Sequence, residues 1–164
     1  MIVVPLLLLA RRRLDAAKVF CMFAGAFALA EIGKKLIGEH RPPASLQVVA
    51  ADSGASFPSG HTTTAAVLAV ALIVIAATFT WRALAFMLGG LYAVAASRVY
   101  LGDHYPLDVI GGMLCALAAA FVVTGLAALP VLQPYLRRLE PAPAGRRADD
   151  ARRGAGHGGQ LPRR

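Results

Sequence analysis

The chain has 164 residues, of which 57% are hydrophobic and 16% charged, with a mean hydropathy of +0.60. That balance excludes a large soluble enzyme and points to one domain whose core forms between helices in lipid. Seventeen Lys and Arg against nine Asp and Glu give a net charge of +8, which in such a chain is a signal of membrane topology before it is a footprint for nucleic acid.

The first ten residues, MIVVPLLLLA, are apolar but too short to cross a bilayer, and they precede Arg11 to Arg13, the reverse of a signal peptide's charge order. They read as the end of a truncated span or as an interfacial anchor. Leu14 to Ile37 is the first candidate span, with Asp15, Lys18, Glu31, Lys34 and Lys35 placed near its ends. Thr62 to Thr80 and Val109 to Leu132 contain no charge, and between them Ala83 to Tyr100 follows the interfacial pair Trp81-Arg82. The expected architecture is therefore all-α: a membrane helical bundle of about four transmembrane helices plus a short apolar N-terminal segment, in residues 1–133. Residues 134–164, with four prolines, five glycines, eight arginines and three acids, predict a disordered basic tail. Gly89-Gly90 and Gly111-Gly112 offer places for helices to approach closely. Cys21 and Cys115 lie inside apolar runs and read as packing residues rather than a disulfide or a metal site.

If the spans alternate, Arg11, Arg12, Arg13, Lys18, Arg82 and the eight tail arginines share one face, thirteen cations against Lys34, Lys35, Arg41 and Arg98 on the other. An excess of cations marks the cytoplasmic side. The second face is then periplasmic or otherwise external, and the tail is cytoplasmic.

The residues suited to chemistry fall on that external face. Lys34 and Arg41 are seven positions apart, so a helix continued to Pro42-Pro43 would project both from one side, about 10 Å apart; cations at a helix end also snorkel to the interface without further purpose. Phe57-Pro58-Ser59-Gly60-His61-Thr62 places a hydroxyl, a glycine amide and an imidazole at a helix N-terminus, a geometry that suits an anion, although Ser59 is equally an N-cap. Ser97-Arg98 is followed by His104 and, four residues on, Asp108. Pro106 is acceptable in a first helical turn, which brings this imidazole and carboxylate within hydrogen-bonding reach; the carboxylate would fix the tautomer and free the other nitrogen, or would simply complement the helix dipole. Taken together, three cations and two histidines at one membrane face, without the ligand spacing of a metal site, point to phosphate as the guest.

These segments resemble the type 2 phosphatidic acid phosphatase superfamily, whose pattern is K-x6-RP, PSGH and SR-x5-H-x3-D. Here it reads Lys34-x6-Arg41-Pro42, Pro58-Ser59-Gly60-His61 and Ser97-Arg98-x5-His104-x3-Asp108, so the match extends from Lys34 to Asp108. The resemblance implies a metal-independent lipid phosphate phosphatase without a cofactor, with His104 as a nucleophile forming a phosphohistidine, Asp108 orienting it and His61 protonating the leaving group. Lys34, Arg41, Ser59, Gly60 and Arg98 would bind the phosphate. Bacterial members typically have six spans with the first motif after the third, so the first complete span here corresponds to the family's third. The expected setting is a bacterial inner membrane, with the site facing the periplasm. The partners are the bilayer and a lipid phosphate (polyprenyl diphosphate or monophosphate, phosphatidylglycerol phosphate, or phosphatidate), not nucleic acid, and uncovered helix faces leave room for a homo-oligomer. The alternative is a non-catalytic membrane protein of the same origin that binds lipid phosphate or acts as a scaffold.

Overall fold

The computed structural model describes residues 2–49, 53–76 and 80–140. Its elements are α1 (Val3–Leu9), α2 (Arg13–Ile37), a 3-10 turn at Ala44–Leu46, α3 (Gly60–Ile75), α4 (Trp81–Tyr100), α5 (Pro106–Ala128) and α6 (Gln133–Leu136). The fold is all-helical, and α2, α4 and α5 are each long and apolar enough to span a bilayer. The short α1 packs on α2, burying Leu7. The arginine-rich segment beyond residue 140 lies outside the described residues.

α2 ends at Ile37, as the candidate span does, because Gly38 adopts a left-handed conformation (φ 60°) and its N–H bonds the Lys34 carbonyl. Arg41 therefore sits on an extended segment, and helical spacing does not relate it to Lys34. Three other spans differ in their boundaries from the sequence expectation, each for a local reason. α3 has 16 residues, about 24 Å at 1.5 Å per residue and short of the ~30 Å of a bilayer's hydrocarbon. Its last carbonyl, Ile75 O, accepts from Arg12 Nη2 at 2.7 Å, and Ala76 is extended. α4 already includes Trp81 and Arg82, capped by Thr80 Oγ1, which accepts from Ala83 N. α5 begins at Pro106 and ends at Ala128, two residues before Pro130.

The packing is built on small side chains. Val19, Met22, Phe23 and Ala26 of α2 recur at helical spacing and meet Ala66, Val67 and Ala71 of α3 and Ala116, Ala119 and Ala120 of α5. Helix α4 is peripheral: it buries only Ala95 and exposes Phe86 and Tyr92, a surface suited to hydrocarbon. Cys21 also faces outward and Cys115 is half-buried, so neither serves the core. Of the two glycine pairs, only Gly111-Gly112 marks a close approach. A Cβ on Gly112 would lie 2.7 Å from Ser59 O, and one on Gly111 would lie 2.5 Å from the Phe57 ring, whereas Gly89 and Gly90 face open space. That contact holds the N-terminal ends of α3 and α5 side by side, and Ser59 N donates to Asp108 O at 2.9 Å across it.

Gly112→Ala forces backbone apart, and we expect a loss of about 1–3 kcal/mol, the range for overpacking. Gly89→Ala should be neutral or stabilising by about 0.5–1 kcal/mol through helix propensity. Thermal unfolding in one detergent measures both.

Candidate active site

The C-terminal ends of α2 and α4 and the N-terminal ends of α3 and α5 lie at one end of the bundle. The two connections there are bonded together and to themselves: Val48 N donates to Leu101 O at 2.9 Å, Ser56 N to Glu39 O at 2.8 Å and Gln47 Nε2 to Pro42 O at 2.7 Å. These bonds fix otherwise irregular backbone over the helix ends.

His104 precedes α5 and is buried. Its Nδ1 lies 3.2 Å from Asp108 Oδ2, an i, i+4 pair across the first turn. The same oxygen accepts from Tyr105 N at 2.8 Å and from Ser56 Oγ at 2.5 Å. With its proton on Nδ1, the imidazole presents its lone pair at Nε2, toward Arg41 Nη1. Burial holds the His104 pKa below its ordinary value, opposed by the hydrogen bond to Asp108 and reinforced by the Arg41 charge. This shift favours the neutral ring.

Around Nε2 stand the cations. Arg41 Nη1 is 3.5 Å from Nε2, and it donates to Asp103 O at 3.0 Å and to Asp103 Oδ1 at 2.5 Å, while Arg41 Nε donates to Gly54 O at 3.3 Å. Arg98 reaches the other carboxylate oxygen of Asp103 at 3.7 Å. Lys34 pairs with Glu31 at 3.0 Å, and its Nζ would lie 3.9 Å from a Cβ on Gly60, close to the start of α3.

Lys34, Arg41, Gly60, His61 and His104 line one open cavity of about 300 Å³, together with Phe27 and Thr64. Ser59, Arg98 and Asp108 do not. Ser59 is buried and caps α3, accepting from Thr62 N at 3.4 Å and from Thr62 Oγ1 at 3.2 Å; Asp108 stands behind His104, and Arg98 meets the site through Asp103. Phe27 and Thr64 also line an apolar cavity of about 330 Å³ that continues between α1, α2 and α3, against Val4, Val19 and Leu68. Two residues escaped the sequence reading. Ser56 lies outside PSGH, and only its burial and its bond to Asp108 reveal it. Asp103 is adjacent to His104 in sequence, but an acid in a glycine turn carries no signal of its own.

Comparisons with known proteins place the chain in a family. Residues 15–129 match the model of the PAP2 superfamily. The chain is 34% identical over 116 residues to an undecaprenyl-diphosphatase of Sulfolobus acidocaldarius, covering 66% of this chain and 53% of that one. It is 31% identical over 122 residues to phosphatidylglycerophosphatase B of Bacillus subtilis (70% and 59%) and 35% identical over 68 residues to the undecaprenyl-diphosphatase BcrC of the same organism (42% and 33%). The match thus spans between a third and three-fifths of the length of these relatives. Among solved structures, LpxE of Aquifex aeolicus superposes with a TM-score of 0.64 at 20% identity, covering 75% of this chain and 74% of that one, which shows a shared fold. With the family match spanning most of its length, the chain belongs to the PAP2 superfamily.

Proposed function

We propose that the protein is a membrane lipid phosphatase that transfers the phosphoryl group of a lipid monophosphate or diphosphate to His104 and then to water. The observation that carries this reading is the buried Asp108–His104 pair with Nε2 directed toward Arg41 at the edge of a cavity lined by cations. Nε2 attacks phosphorus while the bond to the leaving oxygen breaks; Asp108 stabilises the imidazolium formed. His61, exposed at the start of α3, gives its proton to the leaving oxygen and then takes one from the water that cleaves the phosphohistidine, so that phosphate departs and both histidines return to their starting state. Lys34, Arg41, Gly60 and Arg98 supply charge and donors to the phosphoryl oxygens, and Ser59 sets the α3 terminus beside them. The site needs no metal in this scheme.

The apolar cavity that shares Phe27 and Thr64 with the site supports an amphiphilic substrate whose chain stays in the hydrocarbon. The names of the relatives favour polyprenyl diphosphates and phosphatidylglycerol phosphate. Arg12 lies at the end of the bundle opposite the site, which together with the cation distribution supports a periplasmic site and a cytoplasmic tail.

The test is phosphate release from a panel of these lipids in excess EDTA. We expect turnover by the wild type and no trapped phosphoenzyme with His104→Ala. Asp108→Asn should lower kcat by about 10³–10⁴. His61→Ala should slow alkoxide-leaving substrates by about 10²–10⁴ and p-nitrophenyl phosphate much less. Binding of phosphate without release from any lipid would instead identify the non-catalytic protein.

The pH dependence follows from His104. Only the neutral ring attacks, so kcat/KM falls as pH drops through its pKa. Since burial depresses that pKa below 6.5, the acid limb should have its midpoint below pH 6.5; a midpoint above it would contradict a neutral, buried nucleophile.

Orientation is tested in a background with Cys21→Ala and Cys115→Ala. Ala44→Cys should react with an impermeant thiol reagent added outside intact cells, and Arg153→Cys only after lysis. The reverse pattern would move the site to the cytoplasm.

A further inference from the structure

Asp103 is nearly buried, yet it belongs to none of the three motifs. It engages the same cations that a phosphoryl group needs. Arg41 has five N–H donors. Nη1 donates to the Asp103 carbonyl and to its Oδ1 and also lies 3.5 Å from His104 Nε2, and the Nε hydrogen goes to Gly54 O. Among the described residues, Nη2 has no partner and is open to a ligand. The second carboxylate oxygen lies 3.7 Å from Arg98 and 3.8 Å from His104 Nε2. Phosphorus poised for attack stands about 3–3.5 Å from the nucleophilic atom, so its oxygens would fall in the shell that Asp103 Oδ2 now occupies.

We propose that Asp103 is a specificity-determining residue, an internal carboxylate that competes with the phosphoryl group for Arg41 and Arg98 and so weakens the hold of the site on any phosphate. The inference rests on the phosphatase reading above. Its consequence is selective. A lipid phosphate gains further binding from its chain along the apolar cavity, whereas inorganic phosphate, the product, has only the cationic pocket. Asp103 therefore lets free phosphate leave and keeps it from saturating the enzyme, while a lipid substrate still binds.

The opposite role, a carboxylate that holds the arginines in place for substrate, makes the opposite prediction. In that case removal of the charge loosens both side chains and weakens every anion.

The experiment measures binding of inorganic phosphate and orthovanadate to the full chain in detergent by titration calorimetry, for the wild type, Asp103→Asn and Asp103→Ala. Asp103→Asn keeps the shape and one acceptor but removes the charge; Asp103→Ala removes both and serves if the first variant fails to fold. We expect Kd for both anions to fall by about tenfold in either variant, equivalent to about 1.4 kcal/mol. We also expect product inhibition by phosphate to become stronger without a rise in kcat. Structural damage cannot produce that result, because a loosened site binds less tightly. Unchanged or weaker binding in the folded variants overturns the role of Asp103 and leaves the phosphatase reading intact. A wild type that releases no phosphate from any lipid and binds neither anion overturns that reading, and this inference with it.

Discussion

The site depends on one buried carboxylate. Asp108 is fully buried, where an ionised group is tolerated only if donors replace its lost hydration. Oδ2 receives three: the Tyr105 amide from its own helix terminus, the Ser56 hydroxyl from the α2–α3 connection and the His104 ring. The Asp108 carbonyl accepts a fourth bond, from the first residue before α3. One residue thus fixes the start of α5, the end of the loop and the start of α3, and it orients the His104 ring. The close approach that allows this needs no side chain at Gly111 and Gly112. Packing and the geometry of the site therefore share a constraint: whatever separates α3 from α5 also pulls Ser56 and Ser59 away from Asp108.

A second feature is that the cations at the site are each held by a neighbouring acid. Lys34 has Glu31, and Arg41 and Arg98 have Asp103. Three like charges near a low-dielectric bundle repel one another and resist desolvation, and paired carboxylates offset both costs. Glu31 is more than half exposed, so water can replace it on Lys34 easily. Asp103 is nearly buried, so it exchanges for a ligand with difficulty. The two ion pairs are therefore unequal as obstacles to an anion.

The three motifs picked out residues that the structure brings to one end of the bundle, through their types and spacing: a carboxylate four residues after an imidazole, or a serine and glycine at the first turn of an apolar run. Their arrangement was less legible. The end of α2 at Ile37 was legible from hydropathy, but the left-handed Gly38 that ends it also removes the helical relation between Lys34 and Arg41. The expected span over Thr62 to Thr80 was legible as apolar but not in extent, since hydropathy does not register that Arg12 takes the Ile75 carbonyl. Ser56 and Asp103 lie in connections with no periodicity, and their importance arises only from partners 52 and 62 residues distant in sequence. Gly89-Gly90 and Gly111-Gly112 look equivalent as dipeptides, yet only a neighbouring helix decides which pair is used.

The short α3 also bears on how the site meets the membrane. A helix of about 24 Å beside others of about 30–37 Å cannot keep both of its ends level with theirs. At the site end its N-terminus is tied to the first turn of α5 by the Ser59–Asp108 bond, so the deficit falls at the opposite end. There Arg12, paired with Asp15 at 2.7 Å, reaches up to bond Ile75 and brings a guanidinium to the helix C-terminus, where the dipole favours a cation. The shortfall is thus taken up by a flexible basic side chain on the face away from the chemistry. At the other end the Ser59–Asp108 bond keeps together the N-terminal ends of α3 and α5, beside which His61 and His104 stand.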